Sequence, residues 1–251
     1  MGKTKTSKIN IGIVGVGEIG SAVSKLYKGD DYNLLLKDFE MDDCLEDFDL
    51  DFLHICIPYT SSFIDTVAEY IKKYDPRNVI IHSTVKVGTT SALISKTKKV
   101  NIFHSPVRGV HPNLLEGLQT FSKYLGVDEV SDDVLDALTH LGSLGLDVHV
   151  VTPASTSELA KLFSTTYYGM CIAWHGEMKE MCDAAGVDYE QAVTEWTKSY
   201  NEGYKTLGMD HVVRPVLTPP DRIGGHCVIP NAEILKEQFG CDFVDLILKW
   251  K

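Results

Sequence analysis

Gly15, Gly17 and Gly20 stand in G-x-G-x-x-G spacing within the stretch KINIGIVGVGEIGSAV, residues 8–23. Each glycine suits a different task. Gly15 permits a tight turn, Gly17 lets a pyrophosphate approach the backbone, and Gly20 lets a helix pack closely on the preceding strand. Glu18 and Ile19 open that helix, whose free N–H groups and positive dipole end would face the phosphates. Asp38 follows the glycines by about 20 residues, the spacing at which an acid binds the adenosine ribose hydroxyls. An acid there repels a 2′-phosphate, so NAD is favoured over NADP, with Lys37 weakening the preference slightly.

A second set could do covalent or acid–base chemistry. Cys227 ends the run Asp221-Arg222-Ile223-Gly224-Gly225-His226-Cys227. Two glycines let the backbone approach a ligand, and His226 and Arg222 could stabilise a thiolate. Cys56, Cys171 and Cys182 lie in apolar patterns and read as small core residues. Lys161, one turn after Glu158, could stabilise an oxyanion or act as a base if desolvated. A lone lysine on a helix is more often simply solvated.

These residues need a scaffold. Strand-like apolar runs at 8–14, 32–37, 53–58, 79–84, 100–104, 121–127 and 146–151 alternate with helical patterns, among them 61–74, 89–97 and 131–141. The expected fold is α/β, a doubly wound, mostly parallel Rossmann sheet followed by a smaller all-helical domain. The expected domains are a dinucleotide-binding domain over 1–152 and a helical dimerisation and substrate domain over 153–251. In open parallel sheets ligands sit beyond the carboxyl ends of the strands. Pro58, Thr60, Ser83, Thr84 and Ser105 fall there, although such residues also simply punctuate turns.

At Pro153 the texture changes. Ser155 and Glu158 form a capping-box pattern ahead of a long helix that Gly186 stops. Leu162, Tyr167, Met170, Trp174 and Met178 recur along it as a wide apolar stripe, for which pairing with a second copy is the economical explanation. Asp188 to Gln191 is the next cap, opening a helix to about Leu207. A loop rich in Pro and Gly follows over 212–231, and a loop of that length is usually functional.

Composition excludes several classes. With 44% hydrophobic and 24% charged residues among 251, the chain is an ordinary folded protein. A formal charge of −11 argues against nucleic acid or an anionic membrane as partner. An anionic small-molecule substrate would therefore need a local basic pocket. Six cysteines without C-x-x-C spacing suit reduced thiols in the cytoplasm. No histidine or cysteine spacing suggests a metal site. No apolar run is long enough to cross a bilayer, and the MGKTKTSK start reads as a polar tail.

GIVGVGEIG, ICIPYT, HSTVKVGTT, SPVRGVHPNLLEG, the SELAKLF…DAAGVD helix and DRIGGHC together resemble the UDP-glucose/GDP-mannose dehydrogenase family. They match its N-terminal NAD domain and central helical domain in order, while its third, nucleotide-holding domain has no counterpart, so the expected substrate is a sugar nucleotide or a smaller polar alcohol. The resemblance implies NAD⁺-dependent oxidation of a sugar-nucleotide primary alcohol to a carboxylate, by two hydride transfers. Cys227 would then capture the intermediate aldehyde as a thiohemiacetal, and a thioester hydrolysed by water would follow. Lys161 matches the family's oxyanion-stabilising lysine, Thr84 its water-positioning threonine, and Glu158 the acid preceding the lysine. The chain departs from the pattern at Thr165, Asn231 and Val107, where the family has asparagine, aspartate and glutamate. Two other readings use the same residues. One is a two-electron hydroxyacid-type dehydrogenase without a covalent step; the other is a non-catalytic, dimeric NAD-binding protein.

Overall fold

The computed structural model describes residues 8–97 and 100–251. The expected N-terminal tail, apart from Lys8, lies outside them. The chain divides into two compact units, 1–161 and 162–251.

The first unit alternates strand and helix throughout. In chain order it runs β1 (Ile9–Val14), α1 (Glu18–Ser24), β2 (Tyr32–Lys37), a 3-10 turn (Leu45–Asp47), β3 (Phe52–Ile55), α2 (Phe63–Tyr74) and β4 (Asn78–Ile81). Then come α3 (Thr89–Thr97), β5 (Asn101–His104), α4 (Leu114–Thr120), β6 (Lys123–Gly126), α5 (Asp132–Ser143) and β7 (Val148–Val151). The seven strands lie in the order β2-β1-β3-β4-β5-β6-β7. Neighbours from β2 to β5 are parallel, as are β6 and β7. Only β5 and β6 run opposite, joined by the single pair His104 and Gly126. The sheet is thus the mostly parallel one expected.

Side-chain alternation along each strand sends residues to two separate cores. Ile11 and Ile13 of β1 join Val23, Leu118 and Leu141, so α1, α4 and α5 cover one face. Val14, Leu53 and Ile55 join Val67, Ile71 and Leu93, so α2 and α3 cover the other. The strand order reverses between β1 and β3, and a crevice at such a switch point is where a doubly wound sheet binds its ligand.

Two local expectations fail. The helix α4 was not foreseen: it is one short amphipathic run whose Leu114 and Leu118 are buried, with Gly117 lowering its helical signal. The capping box at Ser155 does not form. The long helix α6 (Ala154–Ala185) begins before Ser155, and Asp128 Oδ1 accepts the Ala154 amide at 3.1 Å instead. Glu158 is thereby released for other partners.

The second unit contains the remainder of α6, a π-helical turn (Glu190–Glu195), α7 (Trp196–Thr206), α8 (Val228–Phe239) and α9 (Asp242–Lys249). Asp188 Oδ1 accepts the Gln191 amide at 3.0 Å, the expected cap. Small residues on α6 admit its neighbours: a Cβ on Gly169 would lie 2.4 Å from Val228, and one on Gly176 2.5 Å from the Trp250 ring. Trp250 Nε1–H donates to Glu177 at 3.0 Å and completes that contact. Along the apolar stripe Leu162 is buried and Met178 half-buried, whereas Phe163, Tyr167, Met170, Trp174 and Met181 are exposed.

Candidate functional site

The three glycines of the first loop have three separate geometries. Gly15 has φ +89°, and a Cβ on it would lie 2.9 Å from the Cys56 carbonyl at the end of β3. A Cβ on Gly20 would lie 1.8 Å from the Gly15 carbonyl oxygen, so α1 can press on the loop only because Gly20 is glycine. Around Gly17 nothing lies within 4 Å of an added Cβ. That exposed backbone is the cradle a pyrophosphate would need. Glu18 faces His111 at 2.9 Å, while Ile19 packs against the core.

Asp38, just past β2, closes the far side of this loop. Its Oδ2 accepts the Val16 amide at 2.5 Å and its Oδ1 the Phe39 amide at 2.6 Å. These two amides hold the carboxyl below the usual aspartate range. Ser21 Oγ–H donates to Val16 O at 2.8 Å and fixes the same turn. An ionised carboxylate is therefore set beside the glycine turn, where an adenosine ribose would lie.

The other strand ends follow along the same edge. Pro58 and Thr60 are exposed just beyond β3, with Thr60 Oγ1 3.1 Å from Ser62 Oγ. Ser83 is buried; its hydroxyl donates to Ile57 O at 2.6 Å and ties the end of β4 to that of β3. Thr84, the next residue, is half-buried.

Glu158 is fully buried. Its carboxylate accepts the Gly88 amide at 2.6 Å, the Thr90 amide at 2.8 Å and the Thr90 hydroxyl at 2.7 Å. It thus satisfies the free amides at the start of α3 from another element. Burial raises its pKa, against those three donors. Lys161 is half-buried one turn further; burial first, and to a smaller extent the Lys161 charge, lower the pKa of His104 and of Lys123.

Sequence reasoning missed a polar layer beneath this edge. Lys123 on β6 is 3% exposed, and its Nζ donates to Ser105 O at 2.7 Å. Burial lowers its pKa to about 7. His82 Nδ1 reaches the same Ser105 carbonyl at 2.9 Å, and His104 Nε2 reaches Ser83 O at 3.1 Å. The signal was present: His54, His82 and His104 each interrupt an apolar strand run.

Cys227 lies in the second unit, as the residue preceding α8, and is half-buried. Its carbonyl accepts the Asn231 amide at 3.2 Å, and Asn231 itself is buried in the first helical turn. Gly225 has φ +85°, the space around Gly224 is open, and Arg222 and His226 are exposed. Burial pushes the Cys56 thiol up to about 12, as suits a core cysteine. None of the six cysteines is in a disulfide. Among the described residues no group of three or more His, Cys, Asp or Glu is placed to hold a metal ion, and no helix is long and apolar enough to cross a membrane. A shallow groove along α7, lined by Trp196, Ser199, Tyr200, Gly203, Tyr204 and Leu207, contains none of the candidate residues.

No family model matches the chain. It is 26% identical over 176 residues to the UDP-N-acetyl-D-mannosamine dehydrogenase of Methanocaldococcus jannaschii, covering 68% of this chain and 38% of that protein. The solved UDP-D-ManNAc dehydrogenase of Pyrococcus horikoshii superposes with a TM-score of 0.74 at 19% identity, covering 96% of this chain and 68% of that one. Over about two thirds of its length the chain is similar to UDP-N-acetyl-D-mannosamine dehydrogenases. It spans less than two fifths of the length of the curated relative named here. Likeness of fold extends to a Mycobacterium tuberculosis 3-hydroxyisobutyrate dehydrogenase, with a TM-score of 0.71 at 13% identity over 97% of this chain and 92% of that one.

Proposed function

We propose that the protein is an NAD-dependent dehydrogenase that oxidises the primary alcohol of a sugar nucleotide. The observation that carries the reading is the Asp38 carboxylate bound to the Val16 amide beside the open Gly17 backbone. Gly15, Gly17, Glu18, Ile19 and Gly20 would hold the pyrophosphate, Asp38 the adenosine ribose, and Pro58, Thr60, Ser83 and Thr84 the remainder of the cofactor. NAD⁺, when bound, supplies the hydride acceptor.

The protein's own groups do the rest. Cys227 Sγ adds to the aldehyde carbon as a thiohemiacetal, so the aldehyde is not released between the two oxidations, and later departs when water opens the thioester. Lys161 offers a positive charge to the oxyanions, which is worth most where water is excluded. Thr84 positions the hydrolytic water. Glu158, by fixing Gly88 and Thr90, holds the far end of the loop that begins at Thr84. In a chain of net charge −11, Lys161 also supplies the local positive field that an anionic substrate needs. Six cysteines without C-x-x-C spacing support a cytoplasmic setting. The exposed part of the α6 stripe supports a homodimer formed through residues 154–185.

The test is NADH formation by the full chain against a panel of UDP-sugars, GDP-mannose and small hydroxyacids. Turnover of a sugar nucleotide with about two NADH per substrate is expected, as two hydrides leave one alcohol. NADH from hydroxyacids alone would replace this reading with the two-electron one. Binding of NAD⁺ without turnover of any substrate would leave a cofactor-binding protein.

A further inference from the structure

Three buried histidines and the half-buried Tyr27 of the first unit form one continuous hydrogen-bonded line. His140 Nε2 lies 2.8 Å from Tyr27 Oη, and Tyr27 Oη 2.5 Å from His54 Nε2. His54 Nδ1 lies 2.8 Å from His82 Nε2, and His82 Nδ1 2.9 Å from Ser105 O. The line therefore runs from α5, past the end of α1, through β3 and β4, to the carboxyl end of β5.

Its protons can be placed from one end. A carbonyl oxygen only accepts, so His82 Nδ1 carries a proton. Burial keeps the three imidazoles neutral, each with one N–H. His82 Nε2 is then bare and accepts from His54 Nδ1–H. His54 Nε2 is bare in turn and accepts the Tyr27 O–H. With its only proton used, Tyr27 Oη accepts from His140 Nε2–H. Every donor points the same way, towards Ser105. The same reasoning gives His104 an Nε2–H, donated to Ser83 O, and a bare Nδ1 that accepts from Ser157 Oγ at 2.7 Å.

We propose that His140, Tyr27, His54 and His82 are positioning residues, a one-way hydrogen-bond relay that sets the Ser105–Pro106 turn against the nicotinamide half of the cofactor. The proposal rests on the NAD reading above. β5 and β6 share one bridging pair, so no regular ladder holds Ser105 on the β6 side, whereas β4 pairs regularly with β5 on the other. Ser105 is held on both sides. Ser105 O takes the relay and Lys123, Ser105 Oγ–H donates to Tyr124 O at 2.8 Å, and the Ser105 amide donates to Ile81 O at 2.8 Å. Asp38 lies at the other half of the sheet, beyond β1, with the adenosine half. The relay therefore acts on one half of a dinucleotide and not on the other. A fully satisfied buried polar network rigidifies its surroundings, and a directional chain fixes one arrangement of the turn on which it ends.

The experiment compares NAD⁺ and ADP binding by calorimetry in wild type, Tyr27→Phe and His140→Gln, with ring ¹⁵N spectra of wild type. ADP occupies only the adenosine side. Tyr27→Phe removes the central O–H and should weaken NAD⁺ about tenfold with ADP unchanged. His140→Gln offers an amide N–H at the Nε2 position and should bind both as wild type does. In wild type, Nδ1 should be protonated on His54 and His82, and Nε2 on His140 and His104. Any other tautomer pattern overturns the relay, even if Tyr27→Phe does not fold. So does a Tyr27→Phe variant that binds both ligands normally or loses both equally. Wild type that binds neither ligand overturns the cofactor reading, and the relay's role with it.

Discussion

Asp38 and Val16 are joined across the first loop, carboxylate to amide, at 2.5 Å. The carboxylate is held below the usual aspartate range, and in the proposed cofactor reading it would meet either two ribose hydroxyls or a 2′-phosphate. NAD⁺ should bind at least tenfold tighter than NADP⁺, roughly 1.4 kcal/mol. Asp38→Asn keeps an acceptor for the amide but loses the charge, and should narrow that ratio. Titration of the wild type showing equal affinities would remove Asp38 from the ribose.

The buried bases predict the pH dependence of stability. His104 and His140 are held down to about 3 and about 4 by burial, and His54 and His82 are lowered too. Unfolded histidines titrate near ~6.5, so below that value the unfolded chain binds more protons and stability falls with falling pH. His140 alone contributes up to roughly 3 kcal/mol of this loss by pH ~4. Lys123, at about 7 when folded, acts the same way at higher pH. Between pH ~7 and ~10 the unfolded lysine holds a proton the native one lacks, so stability rises with pH. Urea midpoints from pH 4 to 10 should show both slopes, with His140→Gln flattening the acid one and Lys123→Met the alkaline one.

Glu158 joins α6 to the start of α3 through three donors. Glu158→Gln presents an amide N–H to one of them and should cost about 1–3 kcal/mol. Glu158→Ala leaves all three unmet and should cost at least as much. Thermal melts of the two variants measure this. A variant as stable as wild type would mean that water replaces the carboxylate.

The glycine loop, Asp38 and the strand ends were legible because they depend on short-range spacing and a period-two apolar pattern. The polar layer was not. Lys123, His82 and Ser105 come from three strands, and their meeting is set by strand order, which no local pattern encodes. Glu158 misled for a related reason. Its spacing from Ser155 fits a capping box, but Asp128, from a distant loop, takes the α6 amide first. Histidines inside apolar runs look like ordinary core substitutions until the neighbouring strands are known.

The exposed run Phe163, Tyr167, Met170, Trp174 and Met181 gives the assembly prediction. Trp174 is 47% exposed and Tyr167 65%, on a helix whose other face already packs Val228 and Trp250. Sedimentation should show a dimer at micromolar concentration, and Trp174→Glu should shift it to monomer by burying a charge against apolar side chains. A wild-type monomer would mean that this face serves something other than a second copy.

Cys227 carries the last prediction, and its position makes the test a clean one. As the residue preceding α8, it occupies a place where serine is among the preferred side chains, so Cys227→Ser should leave the melting temperature unchanged or slightly raised. NAD⁺ affinity should also stay the same, because the glycine loop and Asp38 are untouched. What should change is the chemistry. A serine hydroxyl is a far poorer nucleophile than a thiol, so the variant should stop after one oxidation, releasing aldehyde or retaining it on the enzyme, with one NADH per substrate in place of two. Lys161→Ala should slow both oxidations roughly a hundredfold through loss of oxyanion stabilisation. If Cys227→Ser turns over at the wild-type rate with two NADH per substrate, the covalent step does not occur at this sulfur. If Lys161→Ala then remains impaired, the lysine serves hydride transfer alone, and the alcohol is oxidised without a covalent intermediate.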